Sequence, residues 1–220
     1  MVGGVGPSPP QPLGGSHAYP QGCTDSMTLV LASASPIRAA MLSAAGVAFA
    51  IDPAQVDESA LKAGHVGDDA VLASALAAAK ALETGARHSA GWTIGGDSLV
   101  SVDGRRFDKP DSRDQAEEHL RAFSGRSMRL TSAVALATGG RIDWAYCGEA
   151  TLHVRPLSDQ FIHTYLDAEW PAVGGCVGVF RMEGRGVTLF EAVEGNHFTI
   201  LGMPLVPLLG ALRNRSLMPS

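Results

Sequence analysis

The sequence predicts an α/β fold with a mixed, twisted sheet and flanking helices, and three observations carry that prediction. Short apolar runs of strand length alternate with longer, helix-patterned stretches from residue 28 to near the C-terminus. Capping signals stand before several of the helical stretches, and glycine follows them. Asp103-Gly104 adds a hairpin turn, which requires an antiparallel pair within the alternation.

Taken in order, residues 28–32 are short, apolar and β-branched enough for a core strand. Ser35 is an N-cap, and Pro36 fits the first helical position, where its missing N–H costs nothing. The helix continues through Ala39, Ala40, Met41 and Leu42 and stops at Gly46. Residues 48–51 read as a strand ending at Asp52-Pro53, and residues 69–82 as an alanine-rich helix capped by Asp68 or Asp69. An apolar strand at 92–94 breaks at Gly95-Gly96 and resumes over 99–102. Ser112-Arg113-Asp114-Gln115 resembles a capping box, so a helix runs to about Phe123 and stops at Gly125. Residues 128–137 and 150–154 are strand-like, 158–168 form an amphipathic helix, 187–193 another strand, and Pro204 opens a last helix toward Arg213. The expected organisation is a flexible Gly/Pro/Ser/Gln-rich tail over residues 1–27, one domain over 28–214 and a short tail over 215–220.

Composition narrows the function. A net charge of −5 argues against general nucleic-acid binding, which needs a basic face. No apolar run approaches the length of a membrane span. Cys23, Cys147 and Cys176 show no paired spacing, which points to a reducing cytoplasm. The seven histidines form no zinc pattern, and no Gly-x-Ser-x-Gly elbow, Walker A loop or dinucleotide fingerprint is present.

What remains is phosphate chemistry. A strand running through Ser33 and Ser35 into a helix offers two hydroxyls, free N–H groups and the positive end of the helix dipole. Arg38, one turn in, adds a planar bidentate cation. The same stretch also reads simply as a capped helix with a surface arginine. Asp97, after two glycines that let a ligand approach, suits a divalent cation or a proton from water, and equally suits an Asx-turn. Asp57-Glu58 follows a strand and adds another oxygen donor, or is a solvated pair of acids. Lysine is rare, with Lys62, Lys80 and Lys109 set against fourteen arginines; a lysine kept in that background suggests a need for a compact point charge, or simply drift, or for Lys80 compensation of a helix C-terminal dipole. An anionic substrate and a divalent cation, Mg²⁺ or Mn²⁺, satisfy the whole set.

These stretches, in order, resemble the Maf family of nucleoside triphosphate pyrophosphatases. The likeness lies in residues 31–38, Val56-Asp57-Glu58, residues 76–81, Ile94 to Asp97, Asp108-Lys109-Pro110 and residues 120–126. It continues through Leu157-Ser158, Glu183-Gly184, residues 189–191, Glu194-Gly195 and residues 201–205. The resemblance implies a cytoplasmic enzyme, in a family that is often dimeric, that cleaves a nucleotide between its α and β phosphates. It implies a fold of two lobes around a cleft, like that of inosine triphosphate pyrophosphatases. Carried onto this chain, it makes Asp97 the proton acceptor and near-metal carboxylate and Glu58 the second acid. Ser33, Ser35, Arg38, Lys80 and Lys109 become phosphate contacts. Ile37, Ser98 and Glu183 stand where the subgroup acting on dTTP and UTP has Arg, Thr and Gln. Residues 181–191 look more like the subgroup acting on 7-methyl-GTP, which has Gln where Ser98 stands. A nucleotide-binding regulator of cell division and a phosphatase releasing one phosphate at a time are the alternatives, and the intact acids and lysines speak against the first.

Overall fold

The computed structural model describes residues 28–65 and 67–219. The expected tail over residues 1–27, with His17 and Cys23, lies outside the described residues.

The mixed α/β architecture expected from the alternation is present. Strand β1 (Leu29–Leu31) leads into α1 (Pro36–Ala44) and β2 (Ala50–Ile51); α2 (Glu58–Ala63) and α3 (Asp69–Arg87) precede β3 (Trp92–Val102) and β4 (Arg105–Phe107). Helix α4 (Arg113–Phe123) is followed by β5 (Ser127–Thr138), β6 (Arg141–Val154) and α5 (Asp159–Glu169). Two 3₁₀ turns (Ala172–Gly175 and Arg185–Leu189) come before β7 (Phe190–Gly195), α6 (His197–Ile200) and α7 (Leu205–Arg213). The seven strands form one sheet in the order β2-β1-β3-β5-β6-β7, with β4 paired to β3. β1 runs parallel to β2 and β3, and the remaining pairings are antiparallel.

Several caps are as read. Asp68 accepts from the Ala70 N–H and Ser112 from the Gln115 N–H. The Asp103-Gly104 turn takes positive φ at both positions, 51° and 78°, as a twist-matched hairpin requires.

Other expectations change. β3 does not break at Gly95-Gly96; it runs on as one strand paired to β5 along its length. Gly95 is there for a helix instead: a Cβ on it would lie 2.1 Å from the Ala77 carbonyl oxygen and 2.6 Å from the Ala81 nitrogen of α3. Asp97 is therefore a mid-strand residue and not an Asx-turn. Asp57 and Glu58 are not loop acids; Asp57 caps α2 through the Ala60 N–H and Glu58 opens the helix. β6 begins nine residues before the expected strand at 150, because residues 141–149 form a half-exposed stretch on β5 that is too polar to stand out. Residues 185–189 turn as 3₁₀ helix, held by Arg155 through bonds to Leu189 and Thr188, so the expected strand at 187–193 starts only at Phe190. Within the tail expected over residues 215–220, Leu217 and Met218 pack against the core and Arg215 pairs with Asp143.

Side-chain alternation on β3 and β5 sorts the interior. Val134 and Leu136 join Leu31, Ile94 and Leu208 under α1 and α7. Ala133, Ala135 and Leu99 point the other way, onto α3. Farther along the first face, Val100, Leu130 and Leu152 build a separate core with Phe123 and Ile162 of α4 and α5. Two cores thus share one face of the sheet, with the polar pair Ser98 and Ser132 between them. The sheet edge is interrupted at the same place. β1 pairs with residues 92–94 of β3 and β4 with residues 100–102, so the stretch around Asp97 has no strand partner on that side. The two lobes are these two ends of one ladder, and the gap is the cleft. Among the described residues, no helix is long and apolar enough to cross a membrane.

Gly95→Ala drives a methyl into backbone atoms that cannot yield without moving α3. The expected cost is about 3 kcal/mol. Differential scanning calorimetry should show melting lowered by roughly 6–12 °C, whereas Gly104→Asn in the open turn should leave it nearly unchanged.

Candidate active site

The cleft has a volume of about 1240 Å³, and every candidate site residue of the sequence analysis lines it. Its first wall is the β1–α1 connection. Parallel pairing puts Ala32 on the Ile94 carbonyl at 2.8 Å, so Ser33 leaves β1 beside Gly96 and Asp97. Ser33 is buried, and its hydroxyl accepts from the Ser35 N–H and from Arg38 Nη1, both at 3.2 Å. Ser35 holds the N-cap backbone position without a side-chain cap bond, so its hydroxyl stays free, in contrast to the expected cap. Two hydroxyls and the open N–H groups of the first turn are a donor set suited to an anion.

Arg38 is engaged within the framework and is not a loose surface cation. Nε donates to the Gly202 carbonyl at 2.9 Å, Nη1 to the Gly96 carbonyl at 2.9 Å and Nη2 to Ser98 Oγ at 3.1 Å. Burial lowers its pKa, and the Asp97 and Glu58 charges work the other way. Its fork joins α1, β3 and the loop before α7.

The charged centre lies on the other side of β3, where α3 rests on Gly95. Lys80 Nζ donates to Asp97 Oδ1 at 2.6 Å and meets Glu58 Oε1 at 2.7 Å. Asp97 is 6% exposed, which makes its ion pair with Lys80 a necessity for a buried carboxylate. For Glu58, burial works against ionisation, but the Lys80 hydrogen bond and the Lys80, Lys62 and Lys109 charges outweigh it and hold the carboxyl below its usual range. Lys62 bonds Asp108 at 2.6 Å and stands 3.7 Å from Glu58. Lysine scarcity had flagged it, but its partners depend on α2, which the sequence did not reveal. Lys109 is exposed at the rim, with no ion pair among the described residues.

Among the described residues, no group of three or more His, Cys, Asp or Glu side chains forms a metal cage. Two carboxylates on one ammonium match a different donor set. Mg²⁺ and Mn²⁺ sites commonly take one or two carboxylates and complete their shell with waters and substrate phosphates. Asp97 and Glu58 fit such an ion.

The specificity candidates divide. Ile37 and Glu183 face the cleft. Ser98 lines it too, but its hydroxyl accepts from Arg38 and bonds Ser132 Oγ at 2.9 Å and the Gly202 carbonyl at 3.1 Å, so it supports the framework. Sequence reading passed over two groups. Arg181 pairs with the buried Glu169 at 2.8 Å. His119, on α4, is buried against Phe107 at the cleft, and no spacing pattern marks it.

A family profile described as Maf-like protein matches residues 28–215, and the chain belongs to that family. A nucleoside triphosphate pyrophosphatase of Sphingopyxis alaskensis is 45% identical over 197 residues, covering 88% of this chain and 100% of that protein. A 7-methyl-GTP pyrophosphatase of Rhizobium etli is 43% identical over 190 residues, covering 84% of this chain and 94% of that protein. A nucleoside-triphosphatase / dITP/XTP pyrophosphatase crystal structure from Mycobacterium abscessus covers 87% of this chain and 96% of that one, at 16% identity and a TM-score of 0.40.

Burial, and then the Arg105 charge, lower the His119 pKa, with Glu118 and Asp108 acting the other way. The folded chain therefore binds this proton less readily than the unfolded chain. His119 adds stability above the ordinary imidazole value of about 6.5 and loses it as pH falls through and below that value. Melting temperature should drop between pH 7 and pH 5, and His119→Phe should flatten part of that drop in a fluorimetric melting series.

Proposed function

We propose that this Maf-like chain hydrolyses a nucleoside triphosphate between the α and β phosphates, releasing the nucleoside monophosphate and pyrophosphate. One observation carries the reading: Lys80 holds Asp97 and Glu58 together within the cleft that also contains the Ser33–Ser35 anion seat. The activities for which the relatives from Sphingopyxis alaskensis and Rhizobium etli are named point the same way.

The triphosphate seats on the first-turn N–H groups, the Ser33 and Ser35 hydroxyls and Lys109. As it arrives, the Lys80 ammonium has a new anion to share with its carboxylates, and it clamps phosphate oxygens as charge develops on them. Asp97 Oδ1 is taken by Lys80, and Oδ2 has no hydrogen bond among the described residues. That oxygen accepts the proton of a water whose oxygen bonds to the α phosphorus. The bridging oxygen leaves with pyrophosphate. A divalent cation, Mg²⁺ or Mn²⁺, held by Asp97 and Glu58, supplies Lewis-acid charge neutralisation when bound. Arg38, already committed to Gly96, Ser98 and Gly202, positions the loop more than it clamps substrate.

Product analysis tests the reaction. Pyrophosphate and monophosphate should appear together, and orthophosphate as the first product contradicts the reading. Asp97→Asn keeps the shape and should lower turnover by roughly 10²–10⁴, the span of a general base, with circular dichroism unchanged.

For the base, Glu183 carries the preference, with Ile37 beside the phosphate seat. A carboxylate accepts from the N1–H and the exocyclic amine of guanine, whereas a uracil or thymine edge offers one donor. A 7-methyl group adds positive charge to the ring, which a carboxylate favours. In a mixed-substrate assay 7-methyl-GTP should outcompete dTTP and UTP, and Glu183→Gln should narrow the gap. A tenfold advantage for dTTP or UTP reverses the assignment of base while leaving the reaction intact.

A further inference from the structure

Helix α4 turns one polar ring inward. His119 is 8% exposed; its centroid lies 5.1 Å from Phe107, edge-on, and 6.0 Å from Phe123. His119 is one of the residues lining the cleft, as are Phe107, Phe180 and Met182. Its Nδ1 is sealed from solvent and has no hydrogen-bond partner, a state shared among the described residues only with Thr131 Oγ1. A buried histidine ordinarily closes its nitrogens onto carbonyls or carboxylates, because an unmet polar group in an apolar setting is costly. Leucine, methionine or phenylalanine would fill this place without that cost.

The surroundings also assign the proton. A neutral imidazole carries one N–H, and a sealed Nδ1 with no acceptor is a poor place for it. Nε2 is not sealed, so the N–H belongs there, on a ring that lines the cleft. Burial disfavours the charged imidazole, and Arg105, stacked over Phe107 at 4.7 Å, adds positive potential in the same direction. A neutral donor within aromatic walls is unsuited to phosphate. The anion seat belongs to the other lobe, beside the core of Leu31 and Ile94.

We infer that His119 is a specificity residue for the nucleobase: Nε2–H donates to an oxo group on the base edge, with the flat ring received between the apolar side chains around it. This rests on the proposed nucleotide cleft and deepens it. An oxo group is the matching feature of guanine, uracil and thymine, whereas adenine and cytosine present an amino group at the equivalent position and would set donor against donor. Methylation at N7 leaves the oxo group of guanine in place.

The test separates base from phosphate binding. Titration calorimetry with GMP, dGMP and inorganic pyrophosphate is run on wild type, His119→Phe and His119→Gln. His119→Phe keeps the aromatic packing and should weaken GMP and dGMP equally, by about tenfold, roughly one hydrogen bond in a desolvated site. Pyrophosphate affinity should be unchanged, and His119→Gln, which restores an N–H, should recover part of the loss. In turnover, KM for GTP should rise with kcat within twofold, and the GTP-over-ATP preference should shrink. Parallel loss of GMP and pyrophosphate marks a general deformation and overturns the assignment, as does no change in either. Loss confined to GMP assigns the nitrogen to the ribose 2′-hydroxyl and likewise overturns it. A wild type that binds GMP but releases no pyrophosphate from any nucleotide refutes the hydrolytic reading alone, and the calorimetry still decides His119. A wild type that binds no GMP overturns this inference directly.

Discussion

Helix α3 can lie on β3 because nothing projects from Gly95. With Ala77 and Ala81 closing over the bare Cα, the helix approaches until Lys80 and Asp97 meet at 2.6 Å. An ordinary side chain at position 95 would hold the helix off by the width of a methyl or more, and a pair of charges that needs each other's contact in a dry place would come apart. Glu58 joins the pair from α2, a short helix capped by Asp57. These charges are therefore positioned by close packing, and the alanine-rich composition of α3 is the surface that allows it.

The chemistry was legible as residue types more than as geometry. Ser33, Ser35 and Pro36 predicted the strand-to-helix passage because their signals are local, and Ser112 with Gln115 predicted the start of α4 for the same reason. Gly95-Gly96 misled, since a glycine pair inside a strand looks like a break until the helix it accommodates is known. Residues 141–149 were passed over because an edge that faces water on one side has too little apolar density to signal a strand. The meeting of Lys80 and Asp97 spans 17 positions and depends on the α3–β3 approach, so no spacing rule reveals it. His119 sits inside an amphipathic helix at a position where pattern alone expects a core side chain, and only its unmet nitrogen sets it apart.

Net charge describes this molecule poorly. The chain carries −5 overall, yet Arg38, Lys62, Lys80, Lys109 and Arg181 all line one cleft. Acids line the same cleft, Glu58, Asp97 and Glu183 among them, so its field is local and mixed and the overall charge says little about it.

Arg38 ties separate elements together. One guanidinium bonds Ser33 at the β1–α1 turn, the Gly96 carbonyl and Ser98 within β3, and the Gly202 carbonyl. A change at position 98 must be accommodated by the same fork that holds position 33, so the two sites do not vary independently. In evolutionary terms this is built-in epistasis: a lineage altering residue 98 must tolerate or repair a disturbed Arg38 fork, and its accessible changes run through compensating pairs.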